Sequence, residues 1–394
     1  MTLSENQLLD WIRLIRTEGV GPRTFFSLLN HYGGAAEALK ALPELSRKRG
    51  LKSVALTTQA AAEDELRAVQ RFGARFIARG ESVYPKALAV IDSAPPLLTV
   101  IGPLNLAAQP LISIVGSRNA STAGLKMAER LSARLGGAGF GIVSGLARGI
   151  DAKAHHASLP TSAIAVVAGG LDRLYPEENR ALFEQLCHKG AVVSEMPFGW
   201  QPRGRDFPRR NRIVSGLSLG TVIIEAALKS GSLITARFAN EQGREVFAVP
   251  GSPFDLRSEG PNSLIRQGAT LVRNEVDILE VLNPLIDKEF TDHSISDGGG
   301  DNREESLWDE TDWLETGLRP DTGPSEPPFE GWEEGPPQSN RDRVLALLTM
   351  APTDPDELAR AAGISIREMQ IILYDLESDN LAERGQGGRV FAKV

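Results

Sequence analysis

Residues 111–120 read Leu-Ile-Ser-Ile-Val-Gly-Ser-Arg-Asn-Ala, a mostly apolar run that ends in a glycine, a serine and an arginine. Helix-forming residues follow from Thr122 to Leu135. A run too short for a helix, a polar turn and an amphipathic stretch together predict a buried strand feeding a helix. The pattern repeats along the chain. Gly141–Ser144 leads into Gly145-Leu-Ala-Arg-Gly-Ile-Asp and a helix through His155 and His156. Ala163–Ala168 leads into Gly169-Gly170 and a helix after Pro176. Ala191–Ser194, Gly220–Ile224 and Glu245–Val249 add three more strands. Short buried strands alternating with helices predict a parallel, doubly wound α/β sheet with right-handed crossovers. In such sheets ligands bind beyond the carboxyl ends of the strands, where the glycine-rich segments at Gly116, Ser144, Gly169 and Ser194 all fall. The first loop is not GxGxxG and no acidic residue closes the second strand, so a dinucleotide is not indicated.

This sheet region spans residues 81–282, with its core from about 108, and smaller pieces flank it. Residues 1–80 read as a small all-α domain in which Leu8, Trp11, Ile12, Leu14 and Ile15 recur at helical spacing. Gly19-Val-Gly-Pro22 then breaks this helix from one carrying Phe25, Phe26, Leu28 and Leu29. That turn suits a helix-hairpin-helix, whose free N–H groups meet a DNA phosphate; a plain interhelical turn accounts for it equally. Residues 341–394 read as three helices and a β-hairpin, a winged helix, with Asp354 and Ser365 as N-caps and Gly363 as a stop. On its third helix Arg367 is set against Glu368, Asp375 and Glu377, which leaves DNA contact and protein contact both open.

Residues 283–340 hold 16 acidic against 3 basic residues, several Gly and Pro runs and little apolar periodicity, and read as an acidic disordered linker. Its net −13 leaves +5 of the total −8 on the remainder, so the overall acidity does not oppose a nucleic-acid partner. The linker is either a solubilising tether or a brake that competes with DNA for a basic face. Its Trp308, Trp313 and Trp332 are docking points or incidental aromatics. The single cysteine, Cys187, excludes a disulfide framework and a multi-Cys metal site, and fits a reducing cytoplasm. Without a basic, then apolar leader or an apolar window of about 18 residues, neither a signal peptide nor a membrane span is expected.

Arg118, Arg148, Arg173, Arg203, Arg205, Arg209, Arg210, Arg212 and Lys229 gather at the strand ends, most densely in Phe207-Pro-Arg-Arg-Asn-Arg. Arginine forks, loop N–H groups and hydroxyls at helix N-termini hold phosphate oxygens, and a row of them suits a polymer backbone. The alternative is surface arginines satisfied locally, as Arg148 by Asp151. His155 and His156, adjacent on a helix, point about 100° apart and cannot chelate one ion. Ser117 and Ser144 sit in no G-x-S-x-G elbow. No metal, cofactor or nucleophile is therefore expected.

Seven motifs carry a resemblance. They are Ile114-Val-Gly-Ser-Arg, Ser144-Gly-Leu-Ala-Arg-Gly-Ile-Asp, Gly170-Leu-Asp-Arg-Leu-Tyr-Pro-Glu-Glu-Asn, Ser194-Glu-Met-Pro, Phe207-Pro-Arg-Arg-Asn-Arg-Ile-Val-Ser-Gly-Leu-Ser, Ser230-Gly-Ser-Leu-Ile-Thr-Ala and Val249-Pro-Gly-Ser. In kind and order they resemble the DNA-processing protein A (DprA, or Smf) family over about residues 112–269. The resemblance implies a Rossmann-like domain and a non-enzymatic, cytoplasmic protein of natural transformation. Such a protein binds incoming single-stranded DNA, shields it, loads RecA onto it and works as a homodimer. It further implies a DNA pocket lined by Gly116, Ser117, Arg118, Gly145 and Arg148, extended by Arg209, Arg210, Asn211 and Arg212, with Lys229, Ser232 and Thr235 as additions.

An enzyme is the opposing expectation. Gly216-Leu-Ser-Leu-Gly-Thr-Val-Ile-Ile-Glu225 loosely resembles the PGGxGTxxE signature of nucleotide-cleaving Rossmann-like hydrolases. The leading Pro-Gly-Gly is absent and Glu225 lies one residue too far along, which on a strand turns the side chain to the opposite face.

Overall fold

The structure, a computed structural model, describes residues 2–48, 55–103, 105–293, 339–349, 352–385 and 388–393. Ser4 and Gln7 form a capping box at the start of α1 (Glu5–Arg16), each side chain accepting from the other's N–H. Gly19, at φ +80°, supplies the left-handed backbone of the turn, and Pro22 begins α2 (Pro22–Tyr32) where no N–H partner is needed. With α3 (Ala35–Lys48) and α4 (Gln59–Arg71) these helices bury Leu14, Phe25, Leu28 and Leu39.

Residues 75–78, left in the helical domain by the sequence reading, form a strand. This β1 (Arg75–Ala78) lies antiparallel to β2 (Leu97–Ile101), beyond the short α5 (Lys86–Ala89). The four residues of this strand, set between Gly73 and Gly80, are too few for an alternating pattern to register.

The expected alternation follows. It runs β3 (Leu111–Gly116), α6 (Thr122–Gly137), β4 (Gly141–Ser144), α7 (Ile150–Ser158), β5 (Ala163–Val166), α8 (Arg180–Lys189) and β6 (Ala191–Ser194). It continues with α9 (Asp206–Gly216), β7 (Gly220–Ile224), α10 (Gly231–Glu241), β8 (Glu245–Ala248), α11 (Glu259–Arg266), β9 (Thr270–Leu271) and α12 (Glu275–His293). The sheet order is β1-β2-β6-β5-β4-β3-β7-β8-β9. Every pair from β6 to β9 is parallel, while β2 joins β6 antiparallel. Alternation along β3 sends Ile112 and Ile114 to the face covered by α6, α7 and α12, and Leu111 and Val115 to the face covered by α9 and α10.

Helix α12 runs to His293, past the residue where the sequence reading begins the linker. Residues 294–338, which hold most of that linker and its tryptophans, lie outside the described residues. The winged helix comprises α13 (Asn340–Leu347), α14 (Pro355–Ala362), α15 (Ile366–Ser378) and the hairpin β10 (Ala382–Arg384) and β11 (Val390–Ala392). Asp354 and Ser365 cap α14 and α15, and Gly363 ends α14 at φ +68°. Met369, Leu373 and Leu376 bury against Val344 and Leu358. Among the described residues no helix is long and apolar enough to cross a membrane.

Candidate nucleic-acid interface

The sheet order reverses between β3 and β7, which opens a crevice at their carboxyl ends. There Gly116 stands opposite Ile224, and the Ser117 N–H donates to the Glu225 carbonyl at 2.7 Å. Leu146 after β4 and Glu225 after β7 hold φ of +56° and +52°, a conformation that non-glycine residues keep only when their surroundings enforce it. Gly145 leaves room for a buried cation: a Cβ there would stand 1.8 Å from Arg210 Nη1.

The arginine-rich run on α9 divides between two faces. Arg209 and Arg212, three residues apart, both reach Glu195: Arg209 Nε donates to Oε1 at 2.8 Å and Arg212 Nη2 to Oε2. Arg16 joins them, donating to the Glu195 carbonyl at 2.9 Å while also holding the Glu65 carboxylate, and so ties the helical domain to the sheet. Arg210 and Asn211 turn elsewhere, with Arg210 Nη1 on the Val166 carbonyl at 2.8 Å and Asn211 Nδ2 on the Gly231 carbonyl at 3.1 Å. Arg148 pairs with Glu178 at 3.8 Å rather than with Asp151. Asp151 is buried and accepts from the N–H groups of Gly145 and Ala147 at 3.0 and 3.4 Å.

Gly116, Ser117, Arg118, Gly145, Arg210, Asn211, Lys229, Ser232 and Thr235 meet around one cleft of about 840 Å³. Arg148, Arg209 and Arg212 lie outside its lining. Residues that the sequence reading did not assign complete it: Asn119, Phe207, Ser230, Phe254, Leu256 and Arg257 from the sheet domain, and Ala346, Thr349 and Lys393 from the winged helix. Phe254 and Leu256 are 74% and 69% exposed, unusual for large apolar side chains beside a basic cleft.

Burial pushes Arg210 down to about 10, against the pull of Asp151, and pushes the Asp151 carboxyl up. The arginine at the cleft therefore stays charged at neutral pH. His155, buried in α7, is pushed down to about 3 by burial, with His156 adding to the shift. Its unfolded form takes a proton near pH 6.5 and its folded form does not. The neutral form's contribution is therefore whole above pH 6.5 and falls as pH drops toward 3, by about 2 kcal/mol at pH 5. Urea unfolding at pH 7 and pH 5 should show this loss, and His155→Leu should remove that part of the pH dependence.

Comparison with known proteins gives three matches in series. The DprA-like N-terminal HHH domain covers residues 5–68, DNA recombination-mediator protein A covers 75–283 and the DprA winged helix domain covers 330–388. The chain belongs to the DNA recombination-mediator protein A family. Protein Smf of Synechocystis sp. is 34% identical across 98% of this chain and 99% of that protein. DNA processing protein DprA of Bacillus subtilis is 42% identical over 55% of this chain and 74% of that protein. The X-ray structure of DprA from Streptococcus pneumoniae aligns with a TM-score of 0.59 at 32% identity, covering 71% of this chain and 98% of that one. A DprA structure from Helicobacter pylori, described for its single-stranded DNA binding mode, aligns at 0.50 with 29% identity, over 54% and 96%.

In this DNA recombination-mediator protein A chain, Glu225 has a structural task. Its carboxylate accepts from the Ser121 hydroxyl and, at 2.8 Å, from the Ser121 N–H, which fixes the N-cap of α6. The residue of the hydrolase-like signature is thus turned to a helix end, and it is not among the residues lining the cleft.

Proposed function

We propose that the chain binds single-stranded DNA along the cleft at the β3–β7 switch. In this reading it shields strands taken up in natural transformation and passes them to RecA, acting as a cytoplasmic homodimer without catalysis. The observation that carries the reading is the meeting, in one cleft, of phosphate-holding groups and exposed apolar faces. Arg118, Lys229 and the start of α10 at Ser230–Ser232 offer cations, hydroxyls and N–H groups to a backbone. Phe254, Leu256 and Phe207, against which Tyr175 packs edge-on at 5.5 Å from outside the lining, offer surfaces to unpaired bases. The Arg118 guanidinium lies 5.6 Å from the Phe207 ring centroid, so charge and apolar surface adjoin. A duplex hides its base faces and cannot use the second set. The single-stranded DNA binding of the Helicobacter pylori relative supports the same reading.

Fluorescence anisotropy on the full chain should show tighter binding to a labelled single strand than to its duplex. Arg118→Ala should weaken single-strand binding about tenfold whatever the base sequence, and should lower the salt slope by about one. Equal affinity for duplex, or an unaffected variant, would count against the reading. Concentration-dependent sedimentation tests the dimer, and RecA filament assembly on a pre-bound strand tests the hand-over.

A further inference from the structure

Among the described residues, four hydrogen bonds from the sheet domain to the winged helix share one direction: the sheet domain donates and the winged helix accepts. Thr122 Oγ1 donates to the Leu347 carbonyl at 3.4 Å, and Lys126 Nζ to the Glu357 carboxylate at 2.6 Å. Arg257 donates twice, from Nη1 to the Ala346 carbonyl and from Nη2 to the Leu348 carbonyl at 2.8 Å. The three carbonyls stand at the end of α13, where a helix leaves C=O groups without N–H partners and presents the negative end of its dipole. Asp255 orients the Arg257 fork, accepting Nε at 3.0 Å and Nη2 at 3.1 Å.

An ammonium, a guanidinium and a hydroxyl, met only by oxygens in these bonds, form the donor set that a phosphodiester backbone satisfies. Arg257 also lines the cleft that holds Ser117 and Arg118, so the donor row continues from the cleft to the ground under the winged helix. We propose that the strand groove extends beneath the winged helix, with Thr122, Lys126 and Arg257 as further phosphate contacts. The winged helix fills this extension with its own oxygens until a strand displaces it. The contact is suited to exchange. Lys126 is 62% exposed, Thr122 makes a long bond, and Leu125 is the side chain of α6 packed on the winged-helix core. Polar contacts of this kind between domains permit relative motion.

The inference rests on the strand-binding reading above, and the test separates the two. In the full chain, Glu357→Gln loosens the winged helix without touching a sheet-domain donor. Glu377→Gln makes the same charge change on α15, where Glu377 faces Arg384 within the winged helix and neither residue lines the cleft. Glu357→Gln should raise affinity for an oligothymidine about two- to fivefold above Glu377→Gln, the worth of one part-exposed ion pair. Saturating the unaltered chain with the same oligomer should speed amide hydrogen exchange at 345–349, as the end of α13 loses Arg257. Equal effects of the two variants, or exchange unchanged in a saturated complex, would overturn the extension while leaving strand binding intact. Failure of the unaltered chain to bind the oligomer would remove the strand-binding reading and this inference together.

Discussion

Glu195→Ala should cost about 3–5 kcal/mol of folding stability, the usual loss when one partner is removed from a buried ion pair. Glu195 and Arg212 have side chains 6% and 8% exposed, and the same carboxylate also holds Arg209. Without it, Arg212 keeps a buried charge among apolar neighbours in α9, a helix whose residues are mostly buried. Arg212→Ala should destabilise less, because Glu195 retains Arg209 at 2.8 Å. Replacing both with leucine should recover much of the loss, since a packed apolar pair avoids the desolvation of both charges. Urea unfolding measures all three, and a single-variant loss below about 1 kcal/mol would contradict a structural role for the pair. Strand affinity, measured where the variants remain folded, should change little. That outcome separates Arg212 from Arg118, although both stand in arginine-bearing motifs at strand ends.

This separation marks how far the sequence could be read. Six strands of the sheet were legible because each is a short apolar run closed by a polar glycine turn, as at Gly116 and Ser144. The position of the cleft followed from the same pattern, since a doubly wound sheet places its loops at one end. The sorting of residues 209–212 was missed, since all four were expected in the pocket: on α9, 209 and 212 lie three apart and share a face that 210 and 211 cannot join. Their partner was not legible, because Glu195 lies on another segment and only the fold brings it to α9. Strand β1 was too short to show a period. The winged helix's seat on the sheet was hidden for a different reason. Lys126 and Glu357 are separated by 231 positions, and no local spacing records a contact at that range. Phe254 and Leu256 carried a usable signal, two large apolar residues in the loop after Val249-Pro-Gly-Ser, at a strand's carboxyl end.

Gly116→Ala should damage both the fold and the cleft, because this glycine faces backbone rather than a movable side chain. A Cβ at 116 would stand 1.9 Å from the Ile224 carbonyl oxygen and 2.7 Å from Ile150 Cγ1. The carbonyl belongs to β7, paired in register with β3, so relief requires the two strands to part at their carboxyl ends. Parting strains the bond from the Ser117 N–H to the Glu225 carbonyl and moves Ser117 and Arg118 together. Overpacking of this kind costs about 3 kcal/mol at the upper end of its range. Displaced phosphate contacts should lower strand affinity more than the tenfold expected for Arg118→Ala. Thermal unfolding and anisotropy on one preparation read both effects. Gly137→Ala serves as the control, since a Cβ there, at the end of α6 away from the cleft, meets nothing within 4 Å. Near-normal stability and affinity in Gly116→Ala would mean that the β3–β7 ends are less tightly joined than this packing requires, and that the cleft does not depend on their register.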